Sequence, residues 1–341
     1  MKENGFIKFF NYLIDGILNV YLNNPISKKI KVQKIDEVLT IVDLNKVKEI
    51  TVEHFTTKDT VFLNQDKVVI EEYLKNFIKT MNENFEEEDL RNLYDNITWL
   101  LVKRNRFLKS DGEYEMFENI LTFHKNNDPD SINHELMHLS SNPHDENNFS
   151  GGFSHSIEND ILIGRGIDEG YTELLNIRYF NSKAKNTYER EVFAVSEIEK
   201  LVGQKEMEKY YLNANLYRLI KALEKYYSLQ EIERFICSLD FINIYDEKKL
   251  LSDIELEECF VQLDNIIIFL FKGFIKNLDK NTKNIKEIII NYINLLKDRL
   301  DYDIDEYLLQ CFNKIIDDEL SNLNTNIILD INIFKNNENV L

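Results

Sequence analysis

The residues with the clearest chemical potential lie in the sequence HELMH, at positions 134–138. Side chains at i and i+4 of a helix lie one above the other, so the imidazoles of His134 and His138 can bind one metal ion. Histidines at this spacing are typical of zinc sites. Glu135 points to a neighbouring sector of the helix, where its carboxylate can act as general base on a metal-bound water. The motif therefore predicts a zinc-binding helix. The alternative interpretation is a helix with two histidines that bind no metal.

Signals for both ends of a helix flank this motif. Asp128, Asp130 and Ser131 are residue types that favour the N-cap, and Pro129 suits the first helical position. Pro143 disfavours helical backbone at the residue before it, so the helix should end there. These signals predict a helix of about a dozen residues with HELMH near its middle.

A third ligand is expected downstream, because a catalytic zinc ion usually has three protein ligands and one open position. The sequence GRGIDEGYTELLNIRYF, residues 164–180, predicts a second helix from about Asp168. Glu169 lies in its first turn and is the candidate ligand. Glu173 lies one turn later on the same face, where it can accept a hydrogen bond from the far nitrogen of a zinc-bound histidine. The alternative is an acidic helix start, which the helix dipole favours.

HELMH followed by DEGYTELL resembles the gluzincins, a group of zinc metallopeptidases that includes thermolysin-like endopeptidases and neutral zinc aminopeptidases. The resemblance covers residues 128–180, roughly a sixth of the chain. Position 168 is Asp where the aminopeptidases commonly have Asn, and the chain lacks their Gly-x-Met-Glu-Asn signature. The resemblance implies a zincin-like core, one zinc ion per chain held by His134, His138 and Glu169, and hydrolysis of a peptide or protein substrate. It also implies that Glu173 positions a ligand histidine.

The stretch between the two helices is longer than in those enzymes, so an inserted hairpin or flap is expected. Gly151 and Gly152, followed by the alternating sequence FSHSI, predict a hairpin or extended edge that could pair with a peptide backbone. A plain surface loop is the alternative. Hydrolysis also requires a donor for the oxyanion. His155 is the favoured candidate, and the others are Arg165, Tyr171, Tyr210 and Tyr211, although Tyr171 should point away from the ligands.

The hydrophobic periodicity predicts an α+β fold that is mostly helical, with a zincin-like catalytic core, a small β-sheet upstream and a helical lobe downstream. The predicted elements are a helix at 7–22, three or four strands within 29–64, helices at 68–84 and 87–103, a short helix at 114–124, and helices from Tyr171 almost to the end. We expect three regions: an N-terminal α+β lobe at 1–110, the metallopeptidase core at 111–250, and a C-terminal helical region at 251–341.

The composition limits the class of partner. With 41 Lys plus Arg against 60 Asp plus Glu in 341 residues, the formal net charge is −19, which disfavours nucleic acid. Three scattered cysteines suggest neither a disulfide framework nor a cysteine-based zinc site. The sequence shows no apolar run long enough for a membrane span and no signal peptide, so a cytoplasmic protein is expected. The oligomeric state is left open.

Two alternatives to a peptidase follow from the same residues. The chain could be a non-enzymatic regulatory or interaction protein in which a structural zinc ion joins two helices. A closed site with a fourth ligand, such as His144 or His155, would favour that interpretation. The chain could also be a zinc hydrolase that acts on a non-peptide amide.

Overall fold

The computed structural model describes residues 64–97, 100–104, 112–123, 129–143, 150–157, 161–182, 188–246, 251–321 and 327–335. The helix predicted at 7–22 and the strands predicted within 29–64 lie outside these residues, as does His144. Helices account for most of the described chain, which confirms the prediction of a mostly helical α+β fold. The division at residues 110 and 250 stays a prediction.

The helices are α1 Asn64–Asn84, α2 Arg91–Ile97, α3 Pro129–Ser140, α4 Arg165–Phe180, α5 Glu189–Val202, α6 Gln204–Leu212, α7 Leu216–Leu223, α8 Leu229–Asp246, α9 Asp253–Asn277, α10 Ile285–Leu300, α11 Glu306–Leu320 and α12 Asn332–Lys335, with a 3-10 helix at Glu87–Leu90. The strands are β1 Leu101–Arg104, β2 Gly112–Glu115, β3 Ile120–Phe123, β4 Ser150–Gly151, β5 Ser154–Ile157 and β6 Ile161–Ile163. None of the helices in the described ranges is both long and apolar enough to cross a membrane.

The strands form two small sheets. In the first, the order is β1-β3-β2, with β1 parallel and β2 antiparallel to the central strand β3. Tyr114 of β2 is opposite Leu121 of β3, and β2 lies at the edge of this sheet. The second sheet has the order β4-β5-β6 and is antiparallel throughout. It lies between α3 and α4 in the chain.

Of the helix predictions upstream of the motif, one is right over only part of its length and one is wrong. The helix predicted at 87–103 ends at Ile97 and is followed by β1, and the helix predicted at 114–124 is replaced by β2 and β3. These segments are only four residues long, and their conformation is decided by cross-strand pairing rather than by their own periodicity. Asn119 completes the turn between β2 and β3 with a φ of 51°, a conformation that Asn tolerates well.

Helix α4 lies at the centre of the packing, against α3, α5 and α8. Its backbone approaches two of these neighbours closely at glycines. A Cβ atom on Gly166 would lie 2.5 Å from the Leu239 carbonyl oxygen on α8, and one on Gly170 would lie 2.6 Å from the Glu191 carbonyl carbon on α5. Since both neighbours are backbone atoms, neither can move aside as a side chain would. Glycine at these positions therefore sets the distance of α4 from α5 and α8.

A charged cluster joins α4 to the next two helices. Arg178 of α4 donates to both oxygens of Glu199 on α5, at 2.9 and 2.6 Å, and to Glu208 Oε1 on α6, at 2.8 Å. The Tyr171 hydroxyl donates to Glu199 Oε1 at 2.8 Å. One guanidinium thus partly neutralises two carboxylates whose side chains are largely buried.

We expect Arg178→Met to lower the free energy of unfolding by about 3 kcal/mol, because it leaves Glu199 and Glu208 buried without a cation. The value lies at the lower end for a broken buried ion pair, since 23% of the Arg178 side chain is exposed. Lys79→Met is the control, because Lys79 pairs with Glu83 at 3.9 Å on the exposed face of α1 and should change stability by only about 0.5 kcal/mol. Denaturant unfolding measures both; equal losses would contradict the prediction.

Candidate metal centre

Helix α3 has twelve residues, as the flanking signals predict, and its buried face carries both histidines of the motif. His134 and His138 are each 8% exposed. The C-terminal end of α3 is held from outside, because the Asn96 side chain donates to the carbonyls of Leu139 and Asn142 at 2.9 and 2.6 Å. The helix therefore presents the two imidazoles from a fixed position.

Helix α4 begins at Arg165, one turn earlier than the predicted start near Asp168. Asp240 of α8 causes this difference, because its carboxylate accepts hydrogen bonds from the backbone N–H groups of Gly164 and Gly166 at 2.8 and 2.7 Å. These bonds satisfy donors at the helix start that no local side chain caps. Burial raises the pKa of Asp240 to about 7, although the two N–H groups oppose the shift. Glu169 consequently lies in the second turn of α4.

The structure brings the three predicted ligands together. His134 Nε2 lies 3.2 Å from His138 Nε2 and 3.2 Å from Glu169 Oε2, and His138 Nε2 lies 3.5 Å from Glu169 Oε2. In a tetrahedral site with bonds of about 2.0–2.1 Å, neighbouring ligand atoms are about 3.3–3.4 Å apart. The three distances fit one face of such a tetrahedron. This buried group could therefore bind a metal ion.

Each histidine has a carboxylate at its other nitrogen. His134 Nδ1 lies 2.9 Å from Glu173 Oε2, the contact predicted for Glu173, and His138 Nδ1 lies 3.3 Å from Asp168 Oδ2. With a proton on each Nδ1, both Nε2 lone pairs point towards Glu169 and towards each other. Three electron-rich atoms at this distance repel one another unless a cation lies between them. The arrangement of donors and acceptors thus fits a metal ion.

Asp168 is the residue of the candidate site that the sequence reasoning missed. Its Oδ1 atom accepts a hydrogen bond from the Phe153 backbone N–H at 2.8 Å, while Oδ2 faces His138. The available signal was its position directly before Glu169, where aminopeptidases commonly have Asn. An Asp at this position can accept from an imidazole N–H as the Asn oxygen can, with a full negative charge.

The electrostatics of the metal-free site favour protonated histidines. Burial lowers the pKa of His134, but hydrogen bonds to Glu169 and Glu173 outweigh burial and raise this pKa to about 9. Burial also lowers the pKa of His138, but the negative charge of Glu169 outweighs burial and raises this pKa well above 6.5. The pKa of Glu169 is held well below 4.5, because the histidines overcome the effect of burial. A metal ion must displace these protons when it binds.

Glu135 lies outside the group of three ligands, against the edge strand β2. Its carboxylate accepts a hydrogen bond from the Tyr114 backbone N–H, and burial raises its pKa against the opposing charge of the two histidines. A Cβ atom on Gly112 would lie 3.1 Å from Glu135 Cγ, so the strand passes close to this side chain. The role of Glu135 as general base stays a prediction.

The candidate oxyanion donors have different surroundings. His155 is buried, and its Nε2 atom accepts a hydrogen bond from the Leu216 N–H at 3.4 Å. The Tyr171 hydroxyl donates to Glu199, so this side chain points away from the ligands as predicted. Arg165 lies near a predicted ligand, with its Nε atom 3.9 Å from Glu169 Oε1.

The two later tyrosines differ in burial. Tyr211 is fully buried, and its hydroxyl lies 2.6 Å from Thr172 Oγ1, whereas Tyr210 is only partly buried. Sequence reasoning could not separate these candidates, because their surroundings depend on how distant helices pack. The identity of the oxyanion donor, with His155 as the favoured candidate, stays a prediction.

The insert between α3 and α4 contains a hairpin, which confirms the prediction from Gly151, Gly152 and FSHSI. Two hydrogen bonds donated by its backbone N–H groups attach it to the site helices. The Gly152 N–H donates to the Ser141 carbonyl at 3.1 Å, at the end of α3, and the Phe153 N–H donates to Asp168 on α4. The pairing of this insert with a substrate backbone stays a prediction.

We expect Glu173→Gln and Asp168→Asn each to weaken Zn²⁺ binding about 10-fold or more, because a neutral amide holds the imidazole less firmly than a carboxylate. Competition titration with a chromogenic chelator measures the affinity. Glu287→Gln on the exposed surface of α10 removes one negative charge without touching the site and should bind Zn²⁺ as the wild type does. Equal weakening in all three variants would indicate a general charge effect instead.

His155 should make the free energy of unfolding sensitive to acid. Burial lowers its pKa from 6.5 to about 4, so between these pH values the unfolded chain binds a proton that the folded chain does not. Stability then falls as the pH drops from 6.5 to 4, by on the order of 3 kcal/mol, and this loss is complete below pH 4. His155→Gln keeps a hydrogen-bond acceptor but cannot titrate, so we expect a flatter curve of unfolding free energy against pH. An unchanged slope would contradict this assignment.

Comparison with known proteins assigns the chain to no family. No family model, no curated protein and no solved structure matches the chain.

Proposed function

We propose that this chain is a zinc-dependent peptidase of the gluzincin type. The observation that carries the proposal is the convergence of His134 Nε2, His138 Nε2 and Glu169 Oε2 within 3.5 Å, with a second acidic side chain, Glu135, beside the group and not part of it. A site that only binds metal has no need of that additional carboxylate.

The choice of zinc rests on the ligand set. Two imidazole nitrogens and one carboxylate oxygen at tetrahedral spacing suit Zn²⁺, whereas Mg²⁺ and Ca²⁺ prefer sites built from oxygen ligands. Each histidine also has a carboxylate at its Nδ1 atom, which is the hydrogen bond that zinc-bound histidines usually make with their second nitrogen. We expect one zinc ion per chain.

In the proposed mechanism, a bound zinc ion supplies Lewis acidity to the scissile carbonyl and to the attacking water. Glu135 accepts the proton of that water on its carboxylate and later donates it to the nitrogen of the leaving amine. Burial raises the pKa of Glu135, which suits a group that must hold a proton between these steps. Glu173 and Asp168 keep the two imidazoles in place through Nδ1.

A peptide substrate is favoured by the strand next to Glu135. Among the described strands, β2 pairs with β3 on one side, and its Tyr114 N–H points to the Glu135 carboxylate. An extended peptide could add to this edge through main-chain hydrogen bonds, which places a scissile bond near the base. A small non-peptide amide has no extended main chain and would form fewer hydrogen bonds with this strand, so we rank that alternative second.

A structural zinc site is the other alternative. Among the described residues, no fourth His, Cys, Asp or Glu joins the three ligands, and this supports an open position for water or substrate. His155, one candidate for closing the site, does not belong to the group. The set of three ligands and the presence of Glu135 together favour a catalytic role; His144, the other candidate for closing the site, lies outside the described residues.

Glu135→Gln is the direct test of the proposal. We expect the variant to bind Zn²⁺ with wild-type stoichiometry and to hydrolyse peptides at least about 100-fold more slowly, because an amide cannot accept the water proton. Metal analysis gives the stoichiometry, and mass spectrometry of a peptide library incubated with the protein gives the cleavage products and rates.

Glu287→Gln serves again as the surface control and should cleave at the wild-type rate. Wild-type cleavage by Glu135→Gln would exclude Glu135 as the base. A wild-type protein that binds zinc and cleaves small amides but no peptide would favour the non-peptide hydrolase, and one that cleaves neither would favour the structural site.

A further inference from the structure

Tyr188 has an unfavourable backbone conformation at the start of α5. Its φ and ψ angles are 62° and 25°, in the left-handed region, where the Cβ atom of an L-residue crowds the following carbonyl. Other described residues with a side chain and a positive φ are Asn119, Asn181, Ala214, Asn284 and Asp301. Most of these are Asn or Asp, which tolerate this region through local hydrogen bonds. Tyr188 is the one aromatic residue among them.

The position of Tyr188 directly before α5 does not explain why this residue is a tyrosine. Tyr188 is the N-cap of the helix, a position that favours Ser, Thr, Asp, Asn or Gly, and its side chain makes no capping hydrogen bond. Glycine would also adopt the observed backbone angles without crowding. Both local requirements therefore disfavour tyrosine, and the contact that its ring makes offers a reason for its presence.

The ring of Tyr188 stacks on the imidazole of His134. The two ring centroids are 5.7 Å apart and the ring planes are inclined by 16°, an offset stacked geometry. The edges of the imidazole are already used, since Nδ1 faces Glu173 and Nε2 faces Glu169. His138 contacts the same imidazole edge to face, with a centroid distance of 4.9 Å and an angle of 73°. Tyr188 thus provides the parallel aromatic contact to one face of His134.

We propose that Tyr188 is a positioning residue for the metal ligand His134. Glu173 fixes one atom of the imidazole but leaves the ring able to tilt about that hydrogen bond, and the stacked phenol ring restricts this tilt. The restriction keeps Nε2 directed at the shared centre and covers one face of the ligand from water. The left-handed backbone persists because the contact with His134 compensates for it. This inference rests on the proposed zinc centre and concerns a residue outside the HExxH and glutamate motifs.

Tyr188→Gly separates backbone strain from ring contact, because it suits the backbone better and removes the ring. We expect this variant to fold, by circular dichroism, and to release Zn²⁺ to a chelator about 10-fold faster than the wild type. Its Co²⁺-substituted form should show an altered visible spectrum, since the ligand geometry at the metal is less fixed. Tyr188→Phe keeps the ring and should match the wild type in both measurements.

Asn284→Gly is the matched control, because Asn284 is also a left-handed N-cap without a capping hydrogen bond, at the start of α10. It should leave zinc release and the Co²⁺ spectrum unchanged. Should Tyr188→Gly not fold, Tyr188→Leu is measured instead, because it fills much of the same space without an aromatic ring and is expected to release zinc faster.

Two results would overturn this inference alone. The first is that the variant without the ring releases zinc at the wild-type rate. The second is that Tyr188→Phe releases zinc as fast as the variant without the ring, which would assign the effect to the hydroxyl group. A wild-type chain that takes up no Zn²⁺ would overturn the metal centre itself, and this inference with it. Zinc uptake by the wild type is therefore measured first.

Discussion

Mutual repulsion of electron-rich atoms is the constraint on which this site depends. Two imidazole nitrogens and a carboxylate oxygen lie within 3.5 Å of one another, in a buried position where water screens their charges poorly. Further carboxylates surround them, from Glu135, Asp168 and Glu173, in a chain that already has a net charge of −19. Such an arrangement persists only with positive charge at its centre. The raised pKa values of the two histidines favour protons as the source of that charge in the metal-free chain, and a divalent ion would supply it more locally.

The surrounding fold holds α4 firmly enough to keep this arrangement together. Glycines at 166 and 170 bring the backbones of α8 and α5 into direct contact with α4, and Asp240 fixes its N-terminal end. Near its other end, Arg178 joins α4 to α5 and α6. Since Glu169 lies between these attachments, its carboxylate is positioned by a rigid helix and not by a loop. Side chains on rigid elements hold their geometry to fractions of an ångström, which metal coordination requires.

Sequence alone could predict the parts of the site that depend on local periodicity. The same-face placement of the two HELMH histidines and the length of α3 follow from the geometry of a single helix. The contact of Glu173 with His134 was expected because Glu173 lies one turn after Glu169 on the same face and because the motif resembles the gluzincins. Sequence could not predict the start of α4, because the residue that caps it, Asp240, lies some seventy positions later. The strands β1, β2 and β3 were missed for a related reason: four-residue segments become strands through their partners. Asp168 was underestimated because its contact with His138 depends on the angle between two helices.

The two histidines come from one helix but are held by different parts of the chain. His134 is contacted by Glu173 of α4 and by the ring of Tyr188, which directly precedes α5. His138 is contacted by Asp168, whose second oxygen accepts the Phe153 N–H from the inserted hairpin. Both oxygens of Asp168 are therefore engaged, which links the position of the inserted hairpin to the orientation of the His138 imidazole. A metal ion held by both Nε2 atoms at once would therefore depend on the hairpin and on α5 together, although neither contributes one of the predicted ligands.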